Sequence, residues 1–242
     1  MAPVRKHPVA TRSDVRTAAG LSARPWLALG AVAGPILFTL GWFILGFVSP
    51  GYTMWGTHVA PYSVVSQPLS GLGLGPTGPF MNAIFILSGL LIVAGVIGVF
   101  RAIHELSPAA RWIGAALLAL PGLGSVVDGV FTLEHFFLHF VGFGLALTAV
   151  VGFPVTGYLL RRVPSWRRFG SWLVAAGPLT LALTVLYFAT FTPTIEGVQH
   201  GVAGLTERIL VVELLAWYVA FGWLSLRRGG SLEWRNASQT VI

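Results

Sequence analysis

Hydrophobic and polar positions alternate along this chain on the scale of whole segments. Six runs of roughly 20 apolar residues are separated by short polar connections, and a helix of about 20 residues crosses about 30 Å of hydrocarbon. The pattern therefore predicts an all-α polytopic membrane protein, a bundle of six transmembrane helices, with no strands and with no span broken near its middle. The predicted spans are Trp26–Val48, Pro79–Phe100, Ala110–Phe131, Phe136–Leu160, Gly170–Phe191 and Leu205–Leu226.

Composition supports this interpretation and excludes several kinds of chemistry. Hydrophobic residues make up 55% of the 242 residues, charged residues make up 10%, and the mean hydropathy is +0.79. Such a chain is too apolar for a soluble domain. The absence of cysteine excludes disulfides, thiol catalysis and thiolate metal sites. Because the single lysine, Lys6, precedes the first span, a lysine-linked chromophore is excluded as well.

Basic residues predict the orientation. All lysines and arginines except Arg208 flank the same end of a six-span bundle, so the positive-inside rule places both termini in the cytoplasm, and we expect a multi-pass protein of the plasma (inner) membrane. The net charge of +7 then marks contact with anionic membrane lipids rather than with nucleic acid. These residues are Arg5, Lys6, Arg12, Arg16, Arg24, Arg101, Arg111, Arg161, Arg162, Arg167, Arg168, Arg227, Arg228 and Arg235.

The chain divides into three predicted parts: a disordered basic cytoplasmic tail (1–25), a membrane domain (26–226) and a cytoplasmic C-terminal tail (227–242). The longest connection, residues 49–77, lies on the outer side and is dense in glycine, proline and serine. Such a composition disfavours a continuous helix. We expect this connection to fold back over the outer end of the bundle as turns and a short re-entrant piece. Gly30 and Gly34 form a small-xxx-small pair that predicts close helix packing.

Most of the other ionisable residues gather at the predicted outer end. A charge in hydrocarbon costs roughly 3 kcal/mol or more, so these residues are expected to face the bundle interior or water and to mark function. They are His58, Asp128, Glu134, His135, His139, Glu196, His200, Glu207 and Arg208, with Glu213 deeper in the sixth span.

The stretch Thr132–His139, TLEHFFLH, supplies candidate metal ligands. His135 and His139 are four residues apart and share a helix face, and Asp128 ends the preceding span. Together with His200 or Glu213 they could hold zinc with an open position for water. The stretch lacks the HExxH order of metalloproteases. The alternative is that the histidines are hydrogen-bonding groups between helices.

Glu213 and Arg208 are two further candidate site residues, both in the sixth span. Glu213 needs a partner from another helix, because Arg208 lies on a different face. Its carboxyl could serve a substrate, proton or ion site, or could be a hydrogen-bonded packing group. Arg208 could bind a carboxylate or phosphate, but a salt bridge to Glu134 or Glu207 is favoured because both are local.

Three short motifs resemble a six-helix bacterial membrane family known as domain of unknown function 998. Ser70, Leu72 and Gly73 match its Ser-Asp-Leu-Gly pattern, with Gly71 in place of the aspartate. Asn82, His139 and Arg208 match, Glu134 stands where an aspartate is usual, and Thr132 replaces a proline. The motifs are Ser66–Gly73, Gly129–Glu134 and Gly204–Ile209. The resemblance implies the six-helix architecture and the outer polar cluster, and implies no activity.

Three functions stay open at this point. The first is binding or moving a lipid or small amphiphile at an outward-facing polar site formed by Glu134, His139, Arg208, Glu213, Asn82 and Ser70. The second is a membrane hydrolase that uses a metal held by Asp128, His135 and His139, or Glu134 and His139 as acid and base. The third is a structural or assembly partner. Membrane lipids are the expected partners, and a homo-oligomer is compatible with the chain.

Overall fold

A computed structural model describes residues 25–192 and 197–239, with side chains for 26–192 and 197–228. Residues 1–24 of the predicted N-terminal tail (1–25) and Glu196 therefore lie outside the described residues. Six helical segments are long and apolar enough to cross a membrane, so the predicted span count is confirmed. The helices are α1 (Gly30–Val48), α2 (Gly78–Ala102), α3 (Pro108–Val130), α4 (Phe136–Leu147), α5 (Ala149–Leu160), α6 (Arg167–Thr190) and α7 (Ala203–Gln239).

Short 3₁₀ segments flank several of these helices. They cover Pro25–Leu29, Leu69–Gly73, Gly75–Thr77, Leu133–His135 and Pro164–Trp166. The last helix continues past the predicted end of the sixth span at Leu226 and runs to Gln239, without a proline to stop it. We call the end that carries the connections 49–77 and 197–202 the long-loop end, and the opposite end, with the connections 103–107 and 161–166, the arginine end.

The fourth span is the one predicted span that is not a single helix. The helical ladder tightens at Thr148, where the backbone N–H bonds to the carbonyl three residues back, at Leu145, and the Thr148 hydroxyl donates to the same carbonyl at 2.6 Å. A threonine hydroxyl competes in this way with the regular helical ladder. Thr148 itself keeps right-handed helical angles, so the interruption covers one residue, and Leu133–Leu160 remains one of the six spans. The break lets the two halves pack differently: α4 lies against α3, whereas α5 lies against both α3 and α6.

Close helix packing forms the rest of the bundle. In sequence order α1 packs on α2 and α2 on α3, while α7 packs on α1 and α6. A Cβ added at Gly30 would lie 2.2 Å from the Leu91 carbonyl oxygen, and one at Gly34 would lie 2.7 Å from that of Ser88. The small-xxx-small pair thus brings the α1 backbone against α2, as predicted.

The long connection contains a β-hairpin, so the prediction of no strands is wrong. Strand β1 (Tyr52–Met54) pairs antiparallel with β2 (Thr57–Val59) around a two-residue turn, Trp55 and Gly56. Both turn residues have positive φ, 47° and 80°, which is typical of the type I′ turns that match strand twist. Alternating β-favouring residues explain the pairing. Tyr52 and Val59 on this hairpin are buried in the same hydrophobic core as helix residues, so the connection folds back over the bundle as expected.

Candidate functional site

A cavity of about 590 Å³ lies at the long-loop end, inside the bundle and beneath the hairpin. Its walls come from α1 to α4, α6 and α7 and from the 49–77 connection, and they are mainly apolar. A volume of this size is typical of small-molecule sites, which are concave, largely apolar and equipped with a few polar groups. The polar groups on its wall therefore decide which chemistry it favours.

Asp128 and His139 meet on the cavity wall. The His139 Nδ1 atom lies 3.5 Å from Asp128 Oδ1 and 2.8 Å from the carbonyl oxygen of Phe131. The contact with the carbonyl requires a hydrogen on Nδ1, so the neutral ring presents Nε2 as an acceptor. Asp128 is only 7% exposed. Its Oδ1 accepts no hydrogen bond of regular geometry from the described residues.

Glu207 contributes a second carboxyl to the same wall. It is buried, and its Oε2 accepts a hydrogen bond of 2.7 Å from the backbone N–H of Leu69 in the long connection. Burial, and then the charge of Glu207, raise the pKa of Tyr52 to about 12, so this cavity-lining phenol keeps its proton at neutral pH. We call Asp128, His139 and Glu207 the carboxyl wall.

Aromatic side chains form much of the rest of the cavity wall. Five of them come from α4 and α6 and a sixth directly follows α6: Phe136, Phe140, Phe143, Tyr187, Phe188 and then Phe191. The two helices meet through ring contacts, with Phe143 centred 5.8 Å from Tyr187 and 6.0 Å from Phe188, and α4 does not pack closely on α6 along its backbone. Phe136 and Phe140 are each more than half exposed. Side chains rather than helix backbones therefore separate the cavity from the membrane between α4 and α6.

Arg208 points away from this cavity. Its Nη1 donates to the carbonyl oxygens of Gln67 and Gly204 at 3.1 and 2.8 Å, and its Nη2 donates to the Tyr62 hydroxyl at 2.6 Å. The guanidinium also lies over the rings of Trp42 and Tyr62. Burial raises the pKa of Tyr62, although the charge of Arg208 acts in the opposite direction. We call Arg208, Tyr62, Gln67 and Gly204 the arginine anchor.

The predicted salt bridge of Arg208 is therefore wrong for the described residues. Glu207, its neighbour in sequence, bonds to Leu69 instead, and Glu134 is exposed at the surface. The reason is geometric, because consecutive helix residues point about 100° apart. One side chain faces the cavity and the next faces the folded connection. The anchor holds residues 62–67 onto α7, assisted by the Leu205 N–H, which donates to the Val65 carbonyl oxygen.

Ser70 and Asn82 have different surroundings. Ser70 lines the cavity. Asn82 donates from Nδ2 to the Gly73 carbonyl oxygen at 3.0 Å, and its Oδ1 would lie 2.6 Å from a Cβ added at Gly73. Asn82 thus fixes the end of the long connection and does not line the cavity.

Glu213 lies outside the cavity and has partners. Its carboxylate oxygens are 3.0 and 3.3 Å from the Thr180 hydroxyl on α6, and Oε1 accepts from the Trp217 indole at 2.7 Å. The prediction that its partner comes from another helix is confirmed. The arrangement matches the packing interpretation of this carboxyl.

Glu134 and His135 lie at the surface. The Glu134 backbone carbonyl accepts from the Trp55 indole at 3.4 Å, and the His135 ring lies against Phe131. Of the three predicted metal ligands, only Asp128 and His139 come together. In the parts of the chain that the structure describes, no group of three histidine or acidic side chains forms a metal-binding cluster.

Glu207 and the hairpin residues are the site features that sequence reasoning missed. The sequence places Glu207 in the outer polar cluster and indicates a salt bridge with Arg208 as its role, and it gives no role to Tyr52 or Trp55. The signal available was the aromatic content of the long connection, which is unusual for a solvated loop. It indicates burial of that connection against the bundle.

The comparisons with known proteins agree with the architecture and provide no activity. Residues 32–224 match the family model described as "Protein of unknown function (DUF998)". No curated protein matches the chain, and no solved structure matches it. Because the family model covers nearly all six membrane spans, the chain belongs to the DUF998 family.

Proposed function

We propose that the cavity at the long-loop end binds the apolar part of a lipid or small amphiphile, taken up from the outer half of the membrane. The observation that carries this proposal is the 590 Å³ cavity with mainly apolar walls and a polar patch on one side. An amphiphile has the same division, an apolar body and one polar group. Binding of this kind is also the first step of moving a lipid.

The aromatic side of the cavity supports entry from the membrane. Only side chains close the wall between α4 and α6, and side chains change rotamer far faster than packed helices separate. The arginine distribution predicts that this half of the bundle lies in the outer leaflet. A ligand dissolved in that leaflet would therefore meet the aromatic wall directly.

Photolabelling with a neutral single-chain probe tests the proposal. The protein is reconstituted in nanodiscs and labelled with a diazirine derivative of dodecanol. Ala146→Trp places a large ring in the cavity, because Ala146 lines it. Gly144→Trp is the matched control on the same helix, since a Cβ added at Gly144 meets no atom within 4 Å.

We expect Ala146→Trp to reduce the labelling yield at least fivefold and Gly144→Trp to leave it near the wild-type value. Equal labelling of both variants would contradict the proposal. If Ala146→Trp does not fold, Leu147→Trp, at the next cavity-lining position, replaces it. Lipids extracted from the purified wild-type protein and from Gly144→Trp should then include a species that is absent from the blocked variant.

The contact between Asp128 and His139 favours a second candidate, acid/base hydrolysis of a lipid-like ester. The two groups lie 3.5 Å apart on the cavity wall, where a bound ester would meet them. Hydrolysis of p-nitrophenyl dodecanoate in nanodiscs tests this candidate. Release of nitrophenolate that is lost in His139→Gln would support it, and equal rates with empty nanodiscs would contradict it.

A further inference from the structure

We propose that the ligand of the cavity is an organic cation, an apolar body that carries a positively charged nitrogen or phosphorus centre. This inference rests on the proposed binding function and specifies the class of ligand. It is carried by three features of the same cavity: the signs of the charged groups on its wall, the hydrogen-bond acceptors on that wall, and the density of aromatic rings.

The first feature is the sign of the charge on the cavity wall. The described lining contains the carboxyls of Asp128 and Glu207 and no lysine or arginine. The nearest candidate cation, Arg208, is directed to Tyr62, Gln67 and Gly204 and is absent from the lining. An anionic headgroup such as a phosphate would find no positive charge there and would disfavour ionisation of both carboxyls, whereas a bound cation would favour their charged form.

The second feature is that several polar groups on the wall present acceptors, beside the phenol hydroxyls of Tyr52 and Tyr187. Asp128 is more than nine-tenths buried, and its Oδ1, which lies against the α4 backbone at Gly142, accepts no regular hydrogen bond from the described residues. The His139 Nδ1 hydrogen is used by Phe131, which leaves Nε2 as an acceptor. The hydroxyls of Ser88 and Ser125 both donate to the Phe85 carbonyl, so they too present lone pairs. A ligand that satisfies this wall supplies positive charge or hydrogen-bond donors.

The third feature is the density of aromatic rings. Phe, Tyr and Trp side chains provide ten of the 31 lining residues, and six of these rings form the wall between α4 and α6. The face of an aromatic ring carries negative electrostatic potential and attracts cations within about 6 Å of its centroid. Recognition of quaternary ammonium groups by proteins commonly uses such rings. The carboxyls and the rings that line this cavity thus favour the same ligand class.

Such a cation could be a lipid-like amine with one chain or a compact lipophilic cation. The two share the chemistry argued above and differ in shape. Competition against the neutral diazirine dodecanol probe separates them. The competitors are dodecylammonium for the chain amine, tetraphenylphosphonium for the compact cation, and dodecyl sulfate as the anion of the same chain length.

We expect at least one of the two cations to displace the neutral probe from the wild-type protein at a concentration at least tenfold lower than dodecyl sulfate. Which cation competes better identifies the shape of the ligand. Asp128→Asn should remove most of this preference while the neutral probe still labels the cavity. Glu134→Gln is the matched control, because Glu134 is exposed and does not line the cavity, and it should keep the wild-type preference.

Equal competition by cations and anion in the wild-type protein, or a preference that survives in Asp128→Asn, would overturn the inference. In either case, labelling that is blocked by Ala146→Trp would leave the proposed binding function standing. Labelling that Ala146→Trp does not block would instead count against that function. If Asp128→Asn does not fold, the wild-type comparison alone decides between cation and anion.

Discussion

Arg208 and Asp128 are both buried ionisable side chains at the long-loop end, with 5% and 7% of their surface exposed, yet their surroundings are opposite. Arg208 donates three hydrogen bonds to neutral acceptors and lies over two rings. Asp128 lines the cavity and lies against His139 and against the α4 backbone at Gly142, and its Oδ1 has no hydrogen-bond partner among the described residues. A buried polar group without a partner costs about 1–3 kcal/mol. Arg208 also keeps one unpartnered atom among the described residues, Nε, but its Nη1 and Nη2 atoms tie α7 to the long connection. The comparison indicates that Arg208 stabilises the fold and that Asp128 serves a ligand.

Removing the satisfied charge should have the largest effect. Arg208→Met leaves the Tyr62 hydroxyl and the carbonyls of Gln67 and Gly204 without their donor, and we expect it to lower the free energy of unfolding by about 3 kcal/mol or more. Thermal unfolding in detergent measures this. Arg162→Met is the control, because Arg162 is exposed at the arginine end and only lies over Tyr158. Similar small shifts in both variants would show that the arginine anchor does not hold the connection.

Removing the ionisable carboxyl of Asp128 should have the opposite effects, a small change in stability and a large change in ligand preference. Asp128→Asn should change the unfolding temperature little, because the described residues supply no regular hydrogen bond to its Oδ1 that the substitution would break. The preference of this variant for a cation over dodecyl sulfate, measured by displacement of the neutral probe, should fall about tenfold, which corresponds to about 1.4 kcal/mol. A loss of stability comparable to that of Arg208→Met would mean that Asp128 is a structural group, and the contrast would disappear.

Glu213 provides an intermediate case, a half-buried carboxyl with partners outside the cavity. Thr180→Val removes the hydroxyl between α6 and α7, and we expect a cost of about 1 kcal/mol with no effect on probe labelling. Thr184→Val is the control on the same helix, because the Thr184 hydroxyl bonds only to the carbonyl of Thr180 in its own helix. A change in labelling with Thr180→Val alone would indicate that Glu213 takes part in binding.

His135→Ala should have the smallest effect. The ring is exposed and lies against Phe131. We therefore expect the free energy of unfolding to change by no more than about 0.5 kcal/mol and labelling to stay unchanged. Elemental analysis of the purified protein extends the test. Stoichiometric zinc that is lost in both His135→Ala and His139→Ala would restore the predicted metal site and contradict this account of the wall.

The sequence was sufficient to predict the membrane spans because their signal is long and additive. Twenty apolar residues in a row permit few other structures, and the six spans agree with the helices to within a few residues at most ends. The break at Thr148 was not predicted, because it depends on one hydroxyl and one backbone hydrogen bond. The hairpin was missed for a related reason, since two three-residue strands carry too little pattern to stand out from a glycine-rich connection.

The candidate site could be predicted only in part. The gathering of polar residues at one end follows from the spans, and Asp128, His139 and Ser70 do line one cavity. The sequence does not show that Glu207 lines the cavity while Arg208 contacts the long connection. This difference depends on where residues 62–69 fold against α7. The sequence shows that two charges are adjacent, and the fold of the connection determines what each one contacts.

The positions at which the neutral photoprobe reacts test the central claim most directly. Peptide mapping of the wild-type protein labelled with diazirine dodecanol should place adducts on cavity residues of α4 and α6, such as Phe143 and Phe188. These adducts should disappear in Ala146→Trp and remain in Gly144→Trp. Adducts confined to residues outside the cavity, unchanged between the two variants, would show that the cavity takes up no amphiphile.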